Sequence, residues 1–115
     1  MLRHMAKQLS RLDRVFYALA DPTRRAVLQR LSQGPAAVSE LAQPFKMALP
    51  SFTQHLNVLE ECGLVHSEKI GRIRTYQVAP KQLKMAEQWL VEHRDVWEKR
   101  LNQLDNYLET IKEKK

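Results

Sequence analysis

The last third of the chain limits the fold more than any other stretch. From about Pro80 the pattern stays helical for roughly thirty residues. Within it Leu83, Leu90, Trp97, Leu101, Leu104, Leu108 and Ile111 follow one another at steps of 7, 7, 4, 3, 4 and 3, a heptad-like seam. A chain of 115 residues makes a single domain, because two would be too small to hold separate cores. A domain of that size covers only part of so long a seam, and an apolar face left in water marks an association surface. The seam implies a homodimer, with Leu90, Trp97, Leu101, Leu104 and Leu108 at the interface. A second stripe at the front of the chain, Met5, Leu9, Leu12, Phe16 and Leu19 at steps of 4, 3, 4 and 3, can lie beside it. Leu12 and Phe16 therefore join the expected interface. The competing arrangement packs both stripes inside one subunit.

Punctuation divides the intervening residues into short elements. Asp21-Pro22 ends the first helix and opens a second, Asp as N-cap and Pro at the first helical position. This helix should run to about Gln33 with Val27, Leu28 and Leu31 inward, and Gly34-Pro35 stops it. A short third helix fits Ser39–Gln43, with Ser39 as its cap and Leu41 and Ala42 inward; Phe45 and Met47 read as apolar plugs in the turn after it. A fourth runs from about Leu49 to Glu61, its buried face set by Phe52, Leu56 and Leu59. The period then drops to two. Leu64–Ile70 and Ile73–Val78 read as strands around Gly71, with Arg74, Tyr76 and Val78 on one face. The expected architecture is mainly α with a small β-hairpin. In order it is a winged helix-turn-helix: helix-turn-helix at about 38–62, wing at about 64–78, and a dimerisation helix at about 80–112.

Charge narrows the partner. The formal net charge is +6 and the pI is near 9.7, which favours a polyanion. Residues 1–35 carry +5 and residues 64–84 carry +4, while 36–63 and 85–115 carry −2 and −1. Cys62 is the single cysteine, so no intrachain disulfide forms. No apolar run reaches the roughly 18 residues of a membrane span, and the first residues lack the apolar core of a signal peptide. A cytoplasmic, membrane-free protein is expected. The histidines His4, His55, His66 and His93 have no zinc-like spacing, so neither metal nor cofactor is expected. No nucleophile, base and acid set or phosphate loop argues for an enzyme.

Several short motifs resemble the arsenical-resistance repressor (ArsR) family. They are Ala20-Asp21-Pro22-Thr23-Arg24-Arg25, Ser39-Glu40-Leu41-Ala42, Gln54-His55-Leu56 with Leu59, Gly63-Leu64-Val65 and Gly71-Arg72, spread over about residues 8–110. The resemblance implies a DNA-binding homodimer, usually a repressor of its own or a neighbouring promoter. The chain departs from the family pattern in three places. Its last helix holds one histidine, His93, where other members use histidines with carboxylates as metal ligands. Ala36–Glu40, where many members carry a metal-binding cysteine pair, has no cysteine, and Ala48 stands where a Ser or Thr usually caps the recognition helix.

In the fourth helix the arc opposite the apolar face holds Pro50, Thr53, Gln54 and Asn57, with Ser51 on its flank and His55 at its edge. Amides pair bidentately with adenine, and hydroxyls reach bases or phosphates. An ordinary solvated helix face would look similar, and the lack of Lys or Arg between Leu49 and Cys62 suits that reading. The wing supplies the missing cations, Lys69, Arg72 and Arg74, for phosphates or a narrow minor groove. Lys46 in the preceding turn is a further phosphate candidate. Tyr76 reads as a packed strand residue and Cys62 as a small buried one. Arg24 and Arg25 at a helix N-terminus oppose the helix dipole, so they need partners outside it, phosphates or carboxylates. The expected partners are double-stranded DNA with a near-palindromic operator and a second copy of the chain. A small-molecule effector is admitted without a site. The alternatives are a protein-interaction winged helix and a non-specific architectural DNA binder.

Overall fold

The structure, a computed structural model, describes the backbone of residues 2–113 and the side chains of residues 11–113. Met5 and Leu9, expected on the inner stripe of the first helix, lie outside the described side chains.

Five helices and three strands follow in the order α1 (Leu2–Leu19), α2 (Pro22–Leu31), β1 (Ala36–Ala37), α3 (Val38–Ala42), α4 (Leu49–Glu61), β2 (Val65–Ile70), β3 (Ile73–Val78) and α5 (Pro80–Glu113). α2 begins as its residues dictate: Asp21 is extended, its side chain accepts from the Arg24 N–H at 3.0 Å, and Pro22 follows. It ends at Leu31, two residues before the expected Gln33. α3 begins at Val38, so Ser39 is not its cap. Ala37 holds that position without a side-chain bond.

Strand pairing corrects the hairpin expectation. β2 and β3 pair antiparallel, and β1 adds a third strand with Ala36 opposite Tyr76 and Ala37 opposite Thr75, giving the order β1-β3-β2. Two alanines show no alternation, which is why the strand escapes a pattern reading. Its effect is to tie the segment before α3 to the inner strand of the wing.

The core gathers where α1, α2, α4 and the base of the sheet meet. Val15, Ala18, Val27, Leu31, Leu41, Phe52, Leu56, Leu59, Leu64 and Tyr76 are buried in it, and α5 contributes Ala86. Phe52, Leu56 and Leu59 are inward as the 4 and 3 spacing requires. On α1 the fully buried positions are Val15 and Ala18, with Leu12 and Leu19 only partly covered. The stripe of large residues ran along the edge of this face. Tyr76 is packed as expected. Among the described residues no helix is long and apolar enough to cross a membrane.

Candidate nucleic-acid interface

α4 turns its polar arc outward. Pro50, Ser51, Gln54 and Asn57 are exposed and Thr53 is half-buried. The helix is held from behind by Phe52, whose ring lies 5.3 Å from that of Phe45. Phe45 thus plugs the turn between α3 and α4, which leaves Lys46 exposed beside the start of α4. Ala48 precedes the helix in an extended conformation and offers no side-chain cap, as its methyl group requires. Leu49 is exposed at the same end.

The wing stands next to the last turn of α4. Its register pairs Lys69 with Arg74 and Ile70 with Ile73 around a two-residue turn, Gly71-Arg72. Gly71 takes φ +65°, which such a turn needs and which a β-carbon would strain. Arg74 donates from Nη1 to Ser67 Oγ at 2.9 Å, and Ser67 donates from both its backbone N–H and its hydroxyl to Glu60 Oε2. Glu60 belongs to α4, so one carboxylate fixes the base of the wing to the helix it flanks. Lys69 and Arg72 are exposed and make no hydrogen bond or ion pair among the described residues.

The two arginines opening α2 correct the sequence expectation. Arg24 is 8% exposed; its Nε donates to Ala18 O at 2.8 Å and its Nη2 to Tyr17 O at 3.0 Å. Its guanidinium also lies 5.0 Å from the Tyr17 ring centre. Arg25 donates to Leu19 O at 2.6 Å. Both serve backbone carbonyls at the C-terminal end of α1, where a cation meets the negative pole of that helix. Neighbouring helix ends cancel the conflict that a single helix shows.

His55 completes this cluster. Its Nδ1 lies 3.2 Å from Arg24 Nη1 and 3.7 Å from Asp21 Oδ2. Because Arg24 can only donate, Nδ1 must accept, which assigns the neutral tautomer with its proton on Nε2. Burial opposes ionisation of Asp21, but the backbone N–H of Arg24 and the guanidinium charge of Arg24 outweigh it and hold the carboxyl below its usual range. Cys62 caps the end of α4 half-buried, and burial pushes its thiol up, which makes it a poorer nucleophile.

α5 divides in two. Its first turns pack on the molecule through Ala86, Leu83 and Met85. Trp89, which the seam spacing passes over, sets its ring 5.7 Å from Phe16 in an edge-on contact and stacks on His93 at 4.1 Å. His93 Nδ1 is 2.8 Å from Trp89 O. The steps of four from Trp89 to His93 to Trp97 were the available signal. Leu12 and Phe16 are thus partly occupied inside the protomer. Beyond this point the apolar residues are open: Trp97 is 46% exposed and Leu101 58%, and Leu90, Leu104, Leu108 and Ile111 are exposed with them.

Helices α3 and α4 across a tight turn, with a three-stranded sheet ending in a basic hairpin, form a winged helix-turn-helix, the framework of a class of DNA-binding regulators. Comparison with known proteins is consistent with that class. A family described as "Helix-turn-helix domain" matches residues 19–68. The chain is 46% identical over 71 residues to the HTH-type transcriptional regulator Rv2034 of Mycobacterium tuberculosis, an alignment covering 62% of this chain and 66% of that one. It is 53% identical to a solved ArsR family transcriptional regulator, with a TM-score of 0.74 over 77% of this chain and 92% of that chain. It is 27% identical to the homodimeric winged helix-turn-helix DNA-binding domain Mb0332 from Mycobacterium bovis, with a TM-score of 0.63 over 86% of this chain and 89% of that chain. The chain belongs to the ArsR family of winged helix-turn-helix transcriptional regulators. These relatives are regulators, not enzymes.

Proposed function

We propose that the chain is a homodimeric repressor that reads a near-palindromic operator. Gln54 and Asn57 meet base edges in the major groove, with Ser51 and Thr53 beside them. Lys46, Arg72, Arg74 and the Nε2–H of His55 meet phosphates or the minor groove. The observation that carries the reading is the exposed amide and hydroxyl arc of α4 beside the exposed cations of the wing. Short amides select bases, and the cations supply sequence-independent affinity. The exposed seam of α5, Leu90, Trp97, Leu101, Leu104 and Leu108, supports pairing with a second copy. A two-fold dimer presents two copies of α4 at fixed spacing, hence the palindrome. The repressing sense follows from the family resemblance.

The test is fluorescence anisotropy on the duplex immediately upstream of the chain's own coding sequence and on a scrambled duplex, each across a salt series. Tighter binding to the upstream duplex at physiological salt is the expected result. Gln54→Ala should weaken that complex by about 1–3 kcal/mol and leave the scrambled one unchanged. Equal weakening on both would remove Gln54 from base readout. Equal wild-type affinity for both would favour an architectural binder, and no binding would favour a protein-interaction module.

A further inference from the structure

The buried arginine of α2 reaches α4 through a single nitrogen. Arg24 commits Nε and Nη2 to the Ala18 and Tyr17 carbonyls. Its Nη1 is left for His55, 3.2 Å from Nδ1. A second group competes for that ring nitrogen, since Asp21 Oδ2 stands 3.7 Å from it. These two neighbours, both at the start of α2, make opposite demands on the imidazole. Arg24 can only donate and needs a bare Nδ1, whereas an ionised Asp21 can only accept and would draw a proton onto it. The shorter contact belongs to Arg24. The other nitrogen, Nε2, has no hydrogen-bond partner among the described residues and is not a buried atom, so it opens to water beside the polar arc of α4.

We infer that Arg24 is a positioning residue for DNA binding, which acts by keeping the ring proton of His55 on Nε2, where it is donated to a phosphate of the duplex. This rests on the DNA-binding reading above. The chemistry of the acceptor sets the requirement. A phosphodiester oxygen accepts and does not donate, so a ring with its proton on Nδ1 would turn a lone pair toward it and lose the bond. Without Arg24, Asp21 is the neighbour left at Nδ1, and the proton belongs on that side. A buried side chain that never touches the duplex thus decides whether an exposed nitrogen can. The bonds to the α1 carbonyls do not use Nη1, so this role is separable from the one Arg24 plays at the end of α1.

The test uses the full chain at about pH 8, where a free imidazole is neutral. Long-range nitrogen–proton correlation spectra of the unbound protein should find the His55 proton on Nε2 and Nδ1 bare. A proton on Nδ1 would overturn the assignment. In Arg24→Met, which keeps an apolar stem and removes every donor, the proton should move to Nδ1. Anisotropy on the upstream duplex reads the consequence. His55→Leu should weaken binding roughly tenfold, one hydrogen bond in each of two half-sites. Arg24→Met should lose about as much, and adding it to His55→Leu should lose nothing further. A fold defect alone would instead cost the same factor in both backgrounds. That result, or full affinity in His55→Leu, would overturn the proposal. Glutamine carries an acceptor for Arg24 and a donor beyond it, so His55→Gln should regain most of the affinity lost in His55→Leu; no regain would also count against the proposal. If Arg24→Met does not fold, the wild-type spectrum and the two His55 variants decide without it. Wild-type protein that binds no duplex fails the broader reading, while the spectrum still locates the proton.

Discussion

The winged module and the distal half of α5 treat the same kind of side chain in opposite ways. In the module Phe52, Leu56 and Leu59 are fully covered because α2, α3 and the sheet pack against α4. In distal α5 the same helical spacing carries Trp97, Leu101 and Leu104 into solvent, with no described element packed over them. A helical apolar stripe therefore specifies a core without specifying whose core it is. That depends on which elements pack over it.

The difference can be broken most decisively at distal α5. Trp97→Glu with Leu101→Glu should leave each winged module folded and convert the dimer to monomers in sedimentation velocity. Operator affinity should fall by roughly 100-fold or more as two linked half-site contacts become one. A double variant that stays dimeric would show that the seam is not the second core. The module should respond in the opposite manner. Arg24→Ala strips hydrogen bonds from Tyr17 O and Ala18 O and should lower stability by about 2–3 kcal/mol in urea titration, with the dimer intact. A loss below half that size would mean that water replaces the guanidinium. The smallest change sharpens the contrast. Asp21→Ala removes the cap of α2 and should cost about 1 kcal/mol. Since the folded pKa of Asp21 lies below 3.8, its contribution is complete well above that pH and is lost as pH falls through the folded value. The gap between wild type and Asp21→Ala should therefore narrow on acidification, and a gap that widens would reverse the assignment.

Legibility in the sequence tracked how local each determinant is. α2, α4, the two wing strands and the extent of α5 are written in caps, prolines, glycines and spacing, and the structure reproduces them within about two residues. The polar arc of α4 and the cations of the wing were readable for the same reason. Four features were not, and each depends on two segments meeting. β1 exists only because β3 lies beside it. The ligands of Arg24 are carbonyls from another helix, so its local sequence displayed only the conflict with α2. Val15 and Ala18 outrank Leu12 and Leu19 in burial because α1 lies close to its neighbours there, which favours small side chains over large ones. The Glu60–Ser67–Arg74 chain belongs to the same group, since strand register alone brings Ser67 between its partners.

The pairing of Ala36 with Tyr76 also has a consequence for the order in which the molecule assembles. The two partners are 40 residues apart in the sequence, counted from 36 to 76. A chain emerging from its N-terminus presents α1 to α4 before it presents β3, so β1 waits without a ladder partner while the helices collapse around it. The sheet is then completed from its far side, and its closure registers the wing against a helical body that already exists. Closure of the sheet, and with it the setting of the wing against α4, therefore waits on the arrival of β3.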